Sequence, residues 1–153
     1  MTPREQVESV IYRSCMTLDA ADFDGYINLC DDDYHYRISA YSPEIRKDMI
    51  WLEHDKNGMS TLFKQLPRHN SDKSPLSRHA TIYSVEFADG DKEANVVSFL
   101  QVFKTALDGG TTELYAVGKM YDKVKLNGKG ATLVNREVKL DTRQLGIGHH
   151  VPF

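Results

Sequence analysis

The sequence predicts a single α+β domain in which a strongly curved, mixed or antiparallel sheet wraps around N-terminal helices to form a cone. Three observations predict it. Apolar residues recur at helical spacing early in the chain, long strand-like runs fill the second half, and Asp-Gly or Asn-Gly pairs separate those runs. A length of 153 residues suits one domain spanning 1–153, without a disulfide or metal staple.

The elements follow in order. Thr2-Pro3-Arg4-Glu5 reads as a helix start, with Thr2 as the cap, Pro3 in the first turn and Glu5 closing a capping box. Val7, Val10, Ile11, Ser14 and Leu18 then form one stripe. Phe23, Tyr26, Ile27 and Cys30 mark a second helical stretch, which Asp31-Asp32-Asp33 is expected to end. Tyr34, Tyr36 and Ile38 alternate with His35, Arg37 and Ser39 as a strand, which Ser42-Pro43 breaks. A short apolar piece at Met49 to Leu52 precedes a helix through Met59, Leu62, Phe63 and Leu66 that is expected to stop before Pro67.

From there the period changes to that of strands, expected at His79 to Phe87, Ala94 to Ala106, Thr112 to Lys123 and Ala131 to Asp141. Asp89-Gly90, Asp108-Gly109 and Asn127-Gly128 lie between them. Primed hairpin turns need positive φ, which these residue types tolerate. The second of these strands is apolar at both parities, through Val96, Leu100 and Val102 and through Val97, Phe99 and Phe103. That pattern predicts a central strand covered on both faces.

Composition excludes several classes. With 41% apolar and 27% charged residues the chain is globular, and its formal charge of −3 is the wrong sign for a nucleic-acid binder. No apolar run approaches the roughly 18 residues of a membrane span, and the start lacks a signal peptide's apolar core, so a cytoplasmic location is expected. Cys15 and Cys30 are expected to be reduced, buried thiols. The acids Asp19, Asp22, Asp24, Asp31, Asp32 and Asp33 read as a solvated surface, and Lys119, Lys123, Lys125 and Lys129 as the rim of a hairpin.

Chemistry-bearing motifs are sparse. Neither Cys-x-His nor Cys-x-x-His occurs, so no Rieske ligand pair is present, and no His-x-x-x-His offers a helical metal site. His149 and His150 would point to opposite sides of an extended tail. The sequence has no Gly-x-Ser-x-Gly elbow, and Gly109-Gly110 is not followed by a helix. Arg136 places a cation on the parity of Thr132, Val134, Val138 and Leu140, an otherwise apolar face. It therefore needs a partner, for which Asp122, Glu113 and Asp141 are candidates. A pocket group of Tyr36, Asp122 and Arg136 is the alternative. The tail from Arg143 to Phe153 is apolar where a frayed end is normally polar, which predicts docking on the body or on a neighbour.

Arg78-His79, the run Ser98 to Lys104, Thr112 to Tyr115 leading through Ala116-Val117-Gly118 to Tyr121-Asp122-Lys123, and Leu133-Val134-Asn135-Arg136 with Asp141 resemble one known family. It is the small (beta) subunit of Rieske non-haem-iron ring-hydroxylating dioxygenases, and the resemblance spans nearly the whole chain. Lys104 stands where an Arg is usual, and the ending from His149 to Phe153 has no general counterpart. The resemblance implies a nuclear-transport-factor-2-like (NTF2-like) cone and a non-catalytic structural chain. It also implies a large alpha partner, α3β3 assembly with beta-beta trimer contacts, and a Rieske [2Fe–2S] cluster and mononuclear Fe(II) on the alpha chain. That enzyme oxygenates an aromatic or related small substrate with O2 and electrons from NAD(P)H. Arg78, His79, Lys104, Tyr121, Asp122, Arg136, Asp141, Arg143, His149, His150 and Phe153 are the structural or interface candidates, and no catalytic, cofactor or metal residue is expected. The rival readings are a stand-alone, cofactor-free isomerase or dehydratase on the same cone, and a small-ligand-binding protein.

Overall fold

Helix α1 (Pro3–Asp19) starts where Thr2 accepts a hydrogen bond from the Glu5 amide at 3.1 Å, with Pro3 in its first turn. Its stripe of Val7, Val10, Ile11, Ser14, Cys15 and Leu18 is buried. Asp22 caps α2 (Phe23–Asn28) by accepting from the Gly25 amide at 3.0 Å. The computed structural model describes residues 1–69, 73–142 and 152–153. Within them follow β1 (Cys30–Ser42), β2 (Lys47–Asp55), α3 (Lys56–His69), β3 (Leu76–Ala88), β4 (Glu93–Thr105), β5 (Thr112–Leu126) and β6 (Ala131–Leu140).

The strands form one sheet in the order β2-β1-β6-β5-β4-β3. Every pairing is antiparallel except β1 with β6, which is parallel. Register shifts at Ile38/Ser39, Ile82/Ser84, Val102/Phe103 and Lys123/Val124 interrupt the ladders. An extra residue on one strand bends it and increases its twist, so these shifts curl the sheet around the helices. Tyr34, Tyr36, Ile38, Val96, Leu100, Met120, Val124, Leu133 and Val138 line the concave side. There α1 packs against β3, β5 and β6, and α3 against β1.

Two glycine sites show how tightly this is drawn. Gly118 pairs with Leu140, and a Cβ there would stand 2.2 Å from the Lys139 carbonyl oxygen. The β3–β4 turn holds Asp89, Gly90 and Asp91 at φ of 53°, 60° and 64°, the left-handed region that Asp and Gly tolerate best.

The structure corrects four expectations. Cys30 and Asp31 to Asp33 open β1 instead of closing a helix, because Cys30 already pairs with Leu133. Helix α3 continues past Pro67 to His69. The shift at Lys123/Val124 exchanges the parity of β6, so Leu133, not Thr132 or Val134, joins Arg136, Val138 and Leu140 inside. Finally, β4 is central but covered on one face only: Ala94, Val96, Ser98, Leu100 and Val102 are buried, whereas Val97, Phe99 and Phe103 stay half-exposed.

Candidate functional site

The cone interior holds charge. Asp122 on β5 stands directly opposite Arg136 on β6. Arg136 donates from Nε to Oδ1 at 2.7 Å and from Nη2 to Oδ2 at 3.2 Å, and the two side chains are 1% and 0% exposed. This is the two-pronged guanidinium–carboxylate geometry that best offsets desolvation. Burial raises the Asp122 pKa above the usual carboxylate value while Arg136 pulls it back. Burial also works to lower the Arg136 pKa, but Asp122 overrides it and leaves it well above its ordinary value.

Buried aromatics surround the pair. The Tyr26 and Tyr34 hydroxyls hydrogen-bond to each other, and the Tyr34 ring lies 6.2 Å from Tyr26 and 6.5 Å from Tyr36. Burial pushes all three phenol pKa values up. It also drives the Cys30 thiol up to about 12, against the opposing pull of Arg136 and Lys56. Both cysteines are free and buried.

A second cation closes the interior near the end of the sequence. Arg78 donates from its backbone amide and from Nη1 to Asp19 Oδ1, at 3.1 and 2.8 Å, and from Nη2 to the Pro152 carbonyl at 2.7 Å. The Phe153 amide donates to the Tyr36 hydroxyl at 2.8 Å, and that hydroxyl donates to the Phe153 backbone oxygen at 3.2 Å. The Phe153 ring is 1% exposed and meets the Tyr115 ring edge-on at 6.3 Å. Pro152 and Phe153 thus dock on the body of the same chain.

The convex side of the sheet has a different character. Tyr83 stacks on Phe99 at 6.1 Å and His79 meets Phe103 edge-on at 5.2 Å, with Val97 paired to the 39%-exposed Tyr121. Toward β1 and β2 this aromatic strip passes into charge. Lys139 lies over the Tyr121 ring at 5.6 Å, Arg37 pairs with Glu137 at 2.8 Å, and His35 contacts Glu53 at 3.1 Å. No described element covers this strip. Apolar area left open and rimmed by charge marks an interaction surface.

The residues singled out from sequence therefore separate into groups. Arg78, Asp122, Arg136 and Phe153 converge on the interior with Tyr36. His79 and Tyr121 lie on the convex face, and Lys104 sits over the Tyr115 ring at 5.0 Å. Asp141, at the end of β6, donates its amide to the Val117 carbonyl at 2.7 Å. Arg143, His149 and His150 lie outside the described residues. Of the partners offered for Arg136, the structure selects Asp122 over Glu113 and Asp141. Sequence reading missed Tyr26, Tyr34 and Tyr115, and it read Asp19 as solvated surface although that acid holds Arg78. Its place at the end of a buried helical stripe was the available signal. Among the described residues no three His, Cys, Asp or Glu side chains converge to hold a metal. The Tyr36, Asp122 and Arg136 group is spent on internal contacts: two members neutralise each other and the third binds the Phe153 backbone.

Comparison with known proteins identifies the family. The family model for the ring hydroxylating beta subunit matches residues 13–146, and the chain belongs to that family. It is similar to the hydroxylase beta subunit of methanesulfonate monooxygenase from Methylosulfonomonas methylovora, at 39% identity over 97% of this chain and 86% of that one. The beta subunit of 2-aminobenzenesulfonate 2,3-dioxygenase from an Alcaligenes species is 31% identical over 96% and 97% of the two chains. The crystal structure of the benzoate 1,2-dioxygenase beta subunit from Burkholderia mallei shares the fold, with a TM-score of 0.70 at 16% identity over 94% of each chain. The protein is accordingly a beta subunit of a multicomponent oxygenase, a role that entails a large alpha partner. Among the described residues no helix is long and apolar enough to cross a membrane.

Proposed function

We propose that this chain is the non-catalytic small subunit that holds an α3β3 oxygenase together in the cytoplasm. In this reading a Rieske [2Fe–2S] cluster and a mononuclear Fe(II) reside on the alpha chain and receive electrons from NAD(P)H through a reductase. The substrate is a small organic sulfonate or an aromatic compound, a choice supported by the two sulfonate oxygenases to which the chain is similar. One observation carries the structural role: the uncovered aromatic strip of Tyr83, Phe99, Phe103 and Tyr121 on the convex sheet face. Obligate subunit interfaces are core-like and often bury 2,000 Å² or more, and such a strip supplies their apolar centre.

The test is co-expression with a large subunit that carries Cys-x-His and Cys-x-x-His pairs. A colourless small chain is expected on its own and a coloured complex of equal stoichiometry with it, and that complex, supplied with its reductase, should support NAD(P)H oxidation only when sulfonate or aromatic substrate is added. A lone chain that is brown and iron-loaded, or one that fails to bind the large subunit, would overturn the reading.

A further inference from the structure

The seat of Pro152-Phe153 has the composition of a ligand pocket. An aromatic ring is buried at 1% exposure against the Tyr115 ring, and the Tyr36 hydroxyl both accepts from and donates to the Phe153 backbone. Arg78, 6% exposed, completes the seat with Nη1 on Asp19 and Nη2 on the Pro152 carbonyl. Its third nitrogen, Nε, is buried with no hydrogen-bond partner. Nε and Nη2 lie side by side on one edge of a guanidinium, the edge that takes both oxygens of a carboxylate, as Arg136 does with Asp122. A single peptide carbonyl fills half of that edge. An unsatisfied buried donor is costly, so the fit between Arg78 and the chain's own segment is incomplete in a way that an oxyanion would complete.

We infer that the cone of this subunit contains a binding site for a small aromatic carboxylate, with Arg78 as its charged hook and Pro152-Phe153 as a built-in occupant that competes for it. In the occupant, N, Cα and Cβ of Phe153 separate the Pro152 carbonyl carbon from the ring. In 4-phenylbutanoate the same number of atoms separates carboxylate carbon from ring, which makes it the matching probe. The wild-type chain binds it weakly because its own segment must leave first, and apparent affinity falls with the fraction of open molecules.

The test compares the full chain with one ending at Val151, each titrated with 4-phenylbutanoate by calorimetry. One saturable site is expected in the shortened chain, with affinity about tenfold or more above the wild type. Arg78→Gln in the shortened chain should lose most of that gain, and 4-phenylbutanol should bind more weakly than the acid. Equal affinity in the shortened and full chains, or a gain that survives Arg78→Gln, overturns the inference. A second variant covers the case in which the shortened chain does not fold. Phe153→Ala in the full chain should take up toluene and show a raised thermal midpoint, as ligand-sized apolar cavities do. A toluene-insensitive midpoint, or a variant that toluene fails to refold, counts against the site. None of these measurements involves the alpha subunit, so their failure leaves the assembly role untouched.

Discussion

Asp122 and Arg136 face each other across neighbouring antiparallel strands, and their 2.7 Å contact sits in a shell of buried aromatic side chains with almost no access to water. The local sheet geometry makes the pairing obligatory, because strand partners on one face lie within reach of each other whatever the loops do. Each charge is tolerated only because the other is present.

That dependence sets the first prediction. Arg136→Met leaves a buried carboxylate alone and should cost about 3–5 kcal/mol, and Asp122→Leu should cost a similar amount. The double variant should recover much of the loss, because an apolar pair removes both desolvation penalties. Urea denaturation of the three variants measures the coupling, and additive losses would show that the pair does not act as a unit.

Gly118 yields the second. Its missing Cβ is the space occupied by the Lys139 carbonyl, so Gly118→Ala forces backbone apart between β5 and β6. A loss of about 1–3 kcal/mol is expected. Gly130, with open space around its Cβ position, is the control, and Gly130→Ala should change the unfolding midpoint little.

Alkaline pH is the third. The Cys30 thiol is raised from the usual 9.0 to about 12, chiefly by burial, and the buried phenols shift in the same direction. The folded state therefore keeps protons that the unfolded chain releases above pH 9.0. The contribution of these groups to stability should be constant below that point and fall as pH rises toward 12. Cys30→Ala should make the decline shallower, which urea midpoints measured at successive pH values will show.

The convex strip gives the fourth. Phe99→Asp places a charge among Tyr83, Val97 and Tyr121 without touching the interior. Its thermal midpoint should stay close to that of the wild type. Association with copies of itself or with the alpha chain should weaken by about 2 kcal/mol or more, roughly thirtyfold in dissociation constant. Analytical ultracentrifugation reads this directly, and unchanged association would remove Phe99 from the contact.

Much of the architecture was legible because it rests on local signals. The cap at Thr2 and the turn pairs at Asp89-Gly90 and Asn127-Gly128 each state their geometry within a few residues. The need of Arg136 for a partner was legible as well, since a cation on an apolar strand face demands one, while the choice of Asp122 over Glu113 and Asp141 came from the β5–β6 register. What escaped was set by bulges and by distant contacts. The extra residue in β6 that turns Leu133 inward leaves no compositional mark, and Cys30 joins a strand only because Leu133 arrives to pair with it. Asp19 looked like one more solvated acid because its partner Arg78 lies far along the chain. The single-sided burial of β4 was missed for a different reason: side chains left on an open sheet face and side chains buried in a core can be equally apolar.

The parallel alignment of β1 with β6 also constrains how the molecule is made. Tyr36 reaches its ladder neighbour Arg136 only after almost all of the polypeptide has left the ribosome. Until then β1 and β2 form a hairpin whose inner edge has unpaired amides and carbonyls, and the convex aromatics wait alongside without cover. Such non-local closure is slow. A cell making this subunit is therefore best served by translating it close in time and space to the chain that will clasp it.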